Sequence, residues 1–370
     1  MKLQEIIIFL SILVCAIGCA QKVEPPETKS IVLNELVRSA PVQYLNLDEG
    51  SNEIIELSEE DIIININQRQ PLDSIVIGRI KHVTKFNDLY YVHDTIANKI
   101  YGVNDSSLIK NVLGREGKGP GKYLYVSSVK ANSNTLFISD VSNARINRYN
   151  KNNEVVNALT PFIPTLATNK IDVNKNKLLL GNSESSGFEP STEDEGLIAV
   201  LNTKNLFDTL GTIMPRIVPS GYQPAVFNEV DFSINDNNLI ASSYRPLPWI
   251  FLFDEKFRIT KTIILKYSVF NDMDLPSLEL FKPRGNKGYG GAVPLSTYCI
   301  LNNGNILVGI RDVIVHLTVK EDQEYEVSGK FIFKDPQSES SLWIREISAV
   351  GDNDFVATDG NFLFRFKLDK

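Results

Sequence analysis

The chain repeats part of itself. Residues 89–101 read Leu-Tyr-Tyr-Val-His-Asp-Thr-Ile-Ala-Asn-Lys-Ile-Tyr, and residues 136–149 read Leu-Phe-Ile-Ser-Asp-Val-Ser-Asn-Ala-Arg-Ile-Asn-Arg-Tyr. Each copy is a strand, an Asp/Asn turn and a second strand. From Tyr90 to Phe137 the offset is about 47 residues, a period that belongs to propeller blades rather than to one mixed core.

Six blades can be laid out along the chain. They begin near Ile80, Val126, Ala167, Glu229, Thr297 and Ile344. Short β-branched and aromatic runs alternate with Asn, Asp, Gly and Pro throughout, the pattern of an all-β array. No long amphipathic helix is evident, although residues 275–283 could hold one helical turn. A pair of β-sandwiches is the competing layout, and the recurring turn favours the propeller. The sixth blade stops after its third strand at Leu368. An unpaired edge invites aggregation, so an N-terminal strand is expected to close that blade. Ser74–Gly78 is the segment read for this task, with Ile62–Ile66 as a further strand of unassigned role.

The first residues are a targeting segment and stand outside the fold. Ile6 to Ile17 is a mostly apolar run of twelve, short of the roughly 20 residues a spanning helix needs. It ends in Ala16-Ile17-Gly18-Cys19, which resembles the lipobox of bacterial lipoproteins, with Ala16 where that pattern prefers Leu. The resemblance implies lipidation at Cys19; a plain secretory signal is the alternative. Residues 20–30 are polar and proline-bearing and read as a tether. The expected organisation is therefore signal 1–19, tether 20–30 and propeller 31–370. Within the propeller, 31–73 is an N-terminal extension and the blades occupy about 74–370.

About 340 residues remain for the body, ample for a large core. The net charge of −7 is spread out and argues against a nucleic-acid binder, which shows a basic face. Cys299 is the one body cysteine and has apolar neighbours, so it reads as a buried strand thiol.

The second blade resembles an NHL-type repeat in Leu136 to Asp140, Asn143 to Ile146, and Tyr149. The linker Gly114-Arg115-Glu116-Gly117-Lys118-Gly119-Pro120-Gly121-Lys122-Tyr123 resembles the glycine-rich connector before such a blade. With the lipobox, the chain resembles the six-bladed propeller lipoproteins (NHL-like or TolB-like) of the Bacteroidetes. That resemblance implies a fold and an address more than an activity. The connector is no phosphate cradle: no helix start follows it, and no Lys-Ser/Thr pair closes it.

Blade connectors and the turns between second and third strands share one face. Asp94 and Asn98, Asp140 with Asn143 and Arg145, Arg245 with Trp249, Arg311 with Asp312, and Asp359 are therefore candidates for a binding face, joined by Arg115 from the connector. Arginines beside amides and an aromatic suit an anionic or carbohydrate-like ligand, or a peptide end. Asp and Asn in such turns also commonly bond their own backbone. His82, His93 and His316 show no metal-ligand spacing, so no zinc site is expected. Calcium on channel-facing Asp and Asn oxygens is the only cofactor considered. The acidic stretch Glu184–Glu195 and the glycine-rich Gly285–Gly291 read as long surface loops. The expected function is a non-enzymatic binding or scaffold module for an envelope protein or glycan. It would be lipid-anchored on the periplasmic or cell-surface side of the outer membrane. The alternative is a metal-dependent propeller enzyme of lactonase or sugar-dehydrogenase type; no catalytic residue is assigned.

Overall fold

The computed structural model describes residues 31–66, 76–159, 168–182, 196–206, 208–217, 229–245, 247–271, 295, 297–351 and 353–368. A short helix, α1 (Ile31–Arg38), comes first. Three strands follow: β1 (Val42–Asn46), β2 (Glu53–Glu56) and β3 (Ile62–Asn65). Blade one is β4 (Ile80–Phe86), β5 (Leu89–Asp94), β6 (Lys99–Val103) and β7 (Ile109–Leu113). Blade two is β8 (Val126–Ala131), β9 (Leu136–Asp140), β10 (Arg145–Tyr149) and β11 (Val155–Leu159). Blade three is β12 (Thr168–Val173), β13 (Lys177–Asn182), β14 (Ile198–Asn202) and β15 (Thr209–Ile213). Blade four is β16 (Val230–Ile234), β17 (Ile240–Tyr244), β18 (Trp249–Phe253) and β19 (Ile259–Lys266). Blade five is β20 (Thr297–Ile300), β21 (Ile306–Ile310), β22 (Val313–Val319) and β23 (Tyr325–Lys334). Blade six begins with β24 (Glu346–Ala349), β25 (Asp354–Thr358) and β26 (Phe362–Lys367).

Each blade is an antiparallel meander. The first strands touch in the order β4, β8, β12, β16, β20, β24 and back to β4, so the ring closes around a channel. The apolar side chains explain why. Six buried clusters occur among the described residues, one at each junction between neighbouring blades. A sheet with both faces apolar needs a neighbour on each side, and only a closed ring supplies one to every blade.

The N-terminal segment completes the ring, by a different strand from the one the sequence suggested. β3 pairs antiparallel with β26, Leu363 opposite Ile64 and Phe362 opposite Asn65, and becomes the fourth strand of blade six. Val76–Gly78 forms no strand, and Val76 is 79 % exposed; residues 74 and 75 lie outside the described residues. Geometry explains the correction. Four strands about 4.8 Å apart put an outer edge ~14 Å from the inner strand. A strand ending at Gly78 leaves Arg79 alone before β4, a reach of only about 7 Å. Ile62–Asn65 leaves enough chain to cross back, and its Ile63 and Ile64 fill the junction between blades six and one.

The rest of the extension runs along the outside. β1 adds in parallel to β19, and β2 adds in parallel to β23, covering the outer edges of blades four and five. α1 was not anticipated. Its Leu33 and Val37 are buried in the junction of blades three and four; spaced four apart, they share one helical face. The helical turn considered at 275–283 lies outside the described residues. No helix among the described residues is long and apolar enough to cross a membrane.

Candidate functional site

The channel opens into a cavity of about 770 Å³ at the end where the six inner strands begin. Its walls come mostly from alternate positions of those strands. Ser128 and Lys130 alternate in β8, Lys170 and Asp172 in β12, while Asp231, Thr297 and Glu346 stand near the starts of their own strands. Period-two alternation sends these side chains to the channel and their apolar neighbours into the blade junctions. Three inner strands carry a bulge at the mouth, between Ile80 and His82, between Val126 and Ser128, and between Thr168 and Lys170. The extra residues of the first two, Lys81 and Ser127, both line the cavity. A bulge re-aims a side chain in this way at a strand end.

Opposite charges meet across blades. Lys130 Nζ of blade two lies 2.6 Å from Glu346 Oε1 of blade six, and His82 Nδ1 of blade one lies 2.7 Å from Glu346 Oε2. One carboxylate thus joins three blades. Burial alone would raise the Glu346 carboxyl, but the charges of Lys130 and His82 outweigh it and hold the group at about 2. Burial would lower the Lys130 ammonium; Glu346 and Asp172 more than reverse this and raise it. Burial lowers His82, against the pull of Glu346. Behind it, His93 stacks on His82 with centroids 5.7 Å apart and is driven by burial to about 3, so it stays neutral. Farther round, Lys170 of blade three contacts Asp231 of blade four. Burial, reinforced by repulsion from Lys130, pulls the Lys170 ammonium down to about 7. Arg245 Nη1 is 3.0 Å from Glu229 Oε2. Asp172 instead accepts the backbone N–H groups of Val173 and Ile234 at 3.0 and 2.9 Å.

Of the residues proposed from the sequence for the binding face, only Arg245 borders this cavity, and His82, read there as no metal ligand, borders it too. Asp94 is buried and accepts the N–H groups of Gly78, Arg79 and Ile96 at 2.9, 3.1 and 2.9 Å. Asp140 does the same work in blade two, accepting from Leu124 and Tyr125 at 3.2 and 3.1 Å. The repeated Asp is thus a latch between the turn and the preceding connector. Asn98 donates to the Leu124 carbonyl and Asn143 to the Gly117 carbonyl, each at 3.1 Å. Arg145 donates to the carbonyls of Lys118, Gly119 and Lys122 at 2.5–2.7 Å. The glycine connector is therefore wrapped around Arg145. Gly114 permits this with φ +79; a Cβ there would fall inside the Tyr123 ring. Arg115 is exposed on that connector, away from the cavity. Trp249 is buried in the core of blades three and four. Arg311 and Asp312 form the β21–β22 turn outside the cavity wall, and Asp359 caps its own turn through Asn361 and Phe362, both 2.8 Å away.

Cys299 is buried, and burial pushes its thiol up to about 12. Among the described residues no three His, Cys, Asp or Glu side chains stand close enough to hold a metal ion. Glu184–Glu195, Gly285–Gly291 and Cys19 lie outside the described residues.

The inner-strand residues carried a signal that the turn motifs overshadowed. Polar side chains sit at every second position of otherwise apolar strands, as in Ser128-Val129-Lys130 and Lys170-Ile171-Asp172. In a propeller such positions face the channel.

The family described as 6-bladed beta-propeller matches residues 70–290. Two solved structures share the fold. One is a candidate exported protein from Bacteroides fragilis, 16 % identical, with TM-score 0.58 over 89 % of this chain and 99 % of that one. The other is a protein of unknown function from Bacteroides thetaiotaomicron, 8 % identical, with TM-score 0.52 over 83 % and 74 %. None of the curated proteins matches the chain.

Proposed function

The chain belongs to the 6-bladed beta-propeller family, and from that premise we propose that it is a binding module of the cell envelope. In this reading Cys19 carries the lipid anchor, and the channel mouth takes a glycan or protein partner. The observation that carries it is the convergence of charged groups from five blades, joined by Thr297 and Tyr298 of blade five, on one open cavity. A ring can fill its channel with apolar side chains at no loss of stability, because buried ion pairs seldom outperform well-packed hydrophobes. Charges held there in fixed geometry are better understood as a preorganised site.

The envelope address rests on the N-terminal run and Gly18-Cys19. The description of the Bacteroides fragilis protein as a candidate for export agrees with it. A lipidated cysteine followed by a polar tether would leave the propeller as a soluble body on a leash. Cys19→Ala should then leave the precursor uncleaved and unacylated. Metabolic labelling with an alkyne fatty acid reads this directly, and normal acylation of the variant would refute the anchor.

The binding reading is tested by thermal shift of the full chain in detergent against divalent ions, envelope glycans and peptides. At a hundred times Kd a ligand adds about 2.7 kcal/mol to stability, a shift of several degrees. A saturable shift with a glycan or peptide is expected. Stabilisation by a divalent ion alone would contradict the reading and turn attention to metal-dependent chemistry.

A further inference from the structure

We propose that the arc of the channel mouth formed by blades six, one and two is a subsite for a carboxylate-bearing sugar, a uronate unit of a larger polysaccharide. This rests on the binding reading above and narrows it to one ligand class.

Three observations converge on that arc. The first concerns charge. Lys130, Lys170 and Arg245 each meet a carboxylate at the mouth. Lys81 and Arg345 line the same cavity, and among the described residues neither is seen to meet one. Lys81 instead lies 5.8 Å from the Tyr125 ring centroid. Arg345 spends only its Nε, on the Asp359 carbonyl at 2.6 Å. That single bond fixes the guanidinium plane and leaves both terminal nitrogens for a planar anion, the geometry in which Arg holds a carboxylate bidentately. On this arc Lys81, Lys130 and Arg345 face the single carboxylate of Glu346, in a chain of net charge −7.

The second observation concerns aromatic exposure. Tyr125 and Trp343 are 52 % and 56 % exposed, the only large aromatic side chains left so open among the described residues. Both border this cavity. Rings of this size are normally buried for their apolar area. Two left open at one mouth offer flat apolar faces to a ligand that is itself flat and apolar on one side. A pyranose ring has such a face, formed by its axial C–H groups.

The third concerns the wall between them. Ser127 and Ser128 line the cavity from blade two, where their hydroxyls donate to the Ser139 and Ile171 carbonyls. A hydroxyl oxygen that donates can still accept, which suits the hydroxyl edge of a sugar. The three requirements of a uronate are a stacking face, a hydroxyl edge and one carboxylate. They are met by Trp343 and Tyr125, by these hydroxyls, and by Lys81 with Arg345.

The test is titration calorimetry on the full chain with three probes of the same length: an oligogalacturonate, its fully methyl-esterified form, and a peptide with a free C-terminal carboxylate. The acidic saccharide should bind, esterification should weaken it at least tenfold, and the peptide should bind more weakly still. Lys81→Gln with Arg345→Gln should cost the acidic saccharide at least tenfold and flatten its salt dependence. Arg345→Lys, which keeps the charge but loses the fork, should fall between. Trp343→Ala should weaken the acid and the ester alike. All three residues are partly or well exposed, so melting temperatures should stay near that of the parent chain and folding will not confuse the result. Equal affinity for acid and ester would overturn the uronate subsite while leaving the binding reading intact. Binding of the peptide alone would overturn it in favour of a protein terminus. No binding of any probe, together with no ligand in the melting screen, would bring down both.

Discussion

A chain that begins after Ile66 is expected to aggregate rather than fold. The missing residues include all of β3, the fourth strand of blade six. They also include β1 and β2, which cover the outer edges of β19 and β23. Their loss exposes three strand edges at once, each a template for pairing with another chain. It also uncovers the junctions filled by Leu33 and Val37 and by Ile63 and Ile64. What then holds the last blade to the first is chiefly the packing of β24 and β25 on β4. A milder version isolates the closure. Ile64→Ala removes a fully buried side chain opposite Leu363 and should cost about 2–5 kcal/mol, the range for large-to-small changes in a core. Urea unfolding reads the second variant, and soluble yield reads the first. A truncated chain that is soluble and melts with the full protein would show that closure does not depend on β3.

Glu346→Ala should be among the most damaging single changes at the channel. It leaves Lys130 and His82 buried without the carboxylate that both contact. Removing one member of a buried pair typically costs about 3–5 kcal/mol, because the survivor stays buried and unpaired. Replacing Lys130 and Glu346 together by Met and Leu should recover much of that loss, since the penalty lies in the orphaned charge. The same pair sets a pH dependence. The Glu346 carboxyl is depressed from 4.5 to about 2 in the fold. Its contribution is therefore complete above pH ~4.5 and is lost as pH falls from there toward 2. The Lys130 ammonium is raised above 10.5, so its share is complete below that value and is lost only at more alkaline pH. Urea midpoints for the parent and Glu346→Ala should accordingly converge as pH drops from 5 to 2. A constant gap across that range would remove the ion pair from the account.

What the sequence revealed, and what it hid, follow from distance along the chain. The Asp94 and Asp140 turns repeat because each latches onto its own connector within sixteen residues. Such local chemistry repeats blade by blade and is readable as a motif. Its legibility was also misleading: the conspicuous turn residues are those already engaged with the backbone, as Arg145 is with the glycine connector. The cavity is built the other way. Lys130 and Glu346 are 216 residues apart, and each is one polar position in a short strand that alternates polar with apolar residues. Neither stands out until the ring is closed. Tyr125 and Trp343 gave no sequence signal, because only burial separates an exposed ring from a packed one. Trp249, the tryptophan that did draw notice, proved to be core.

The claim that the channel mouth is the ligand site can be tested most directly by a lysine footprint. The full chain would be acylated briefly, with and without the compound that most raises its melting temperature, and each lysine quantified by mass spectrometry. Lys81 and Lys170 line the cavity, whereas Lys99 and Lys110 are exposed on the third and fourth strands of blade one. The account predicts that ligand slows modification of Lys81 and Lys170 severalfold and leaves Lys99 and Lys110 unchanged. Protection confined to lysines away from the mouth, with Lys81 and Lys170 modified at the ligand-free rate, would contradict it.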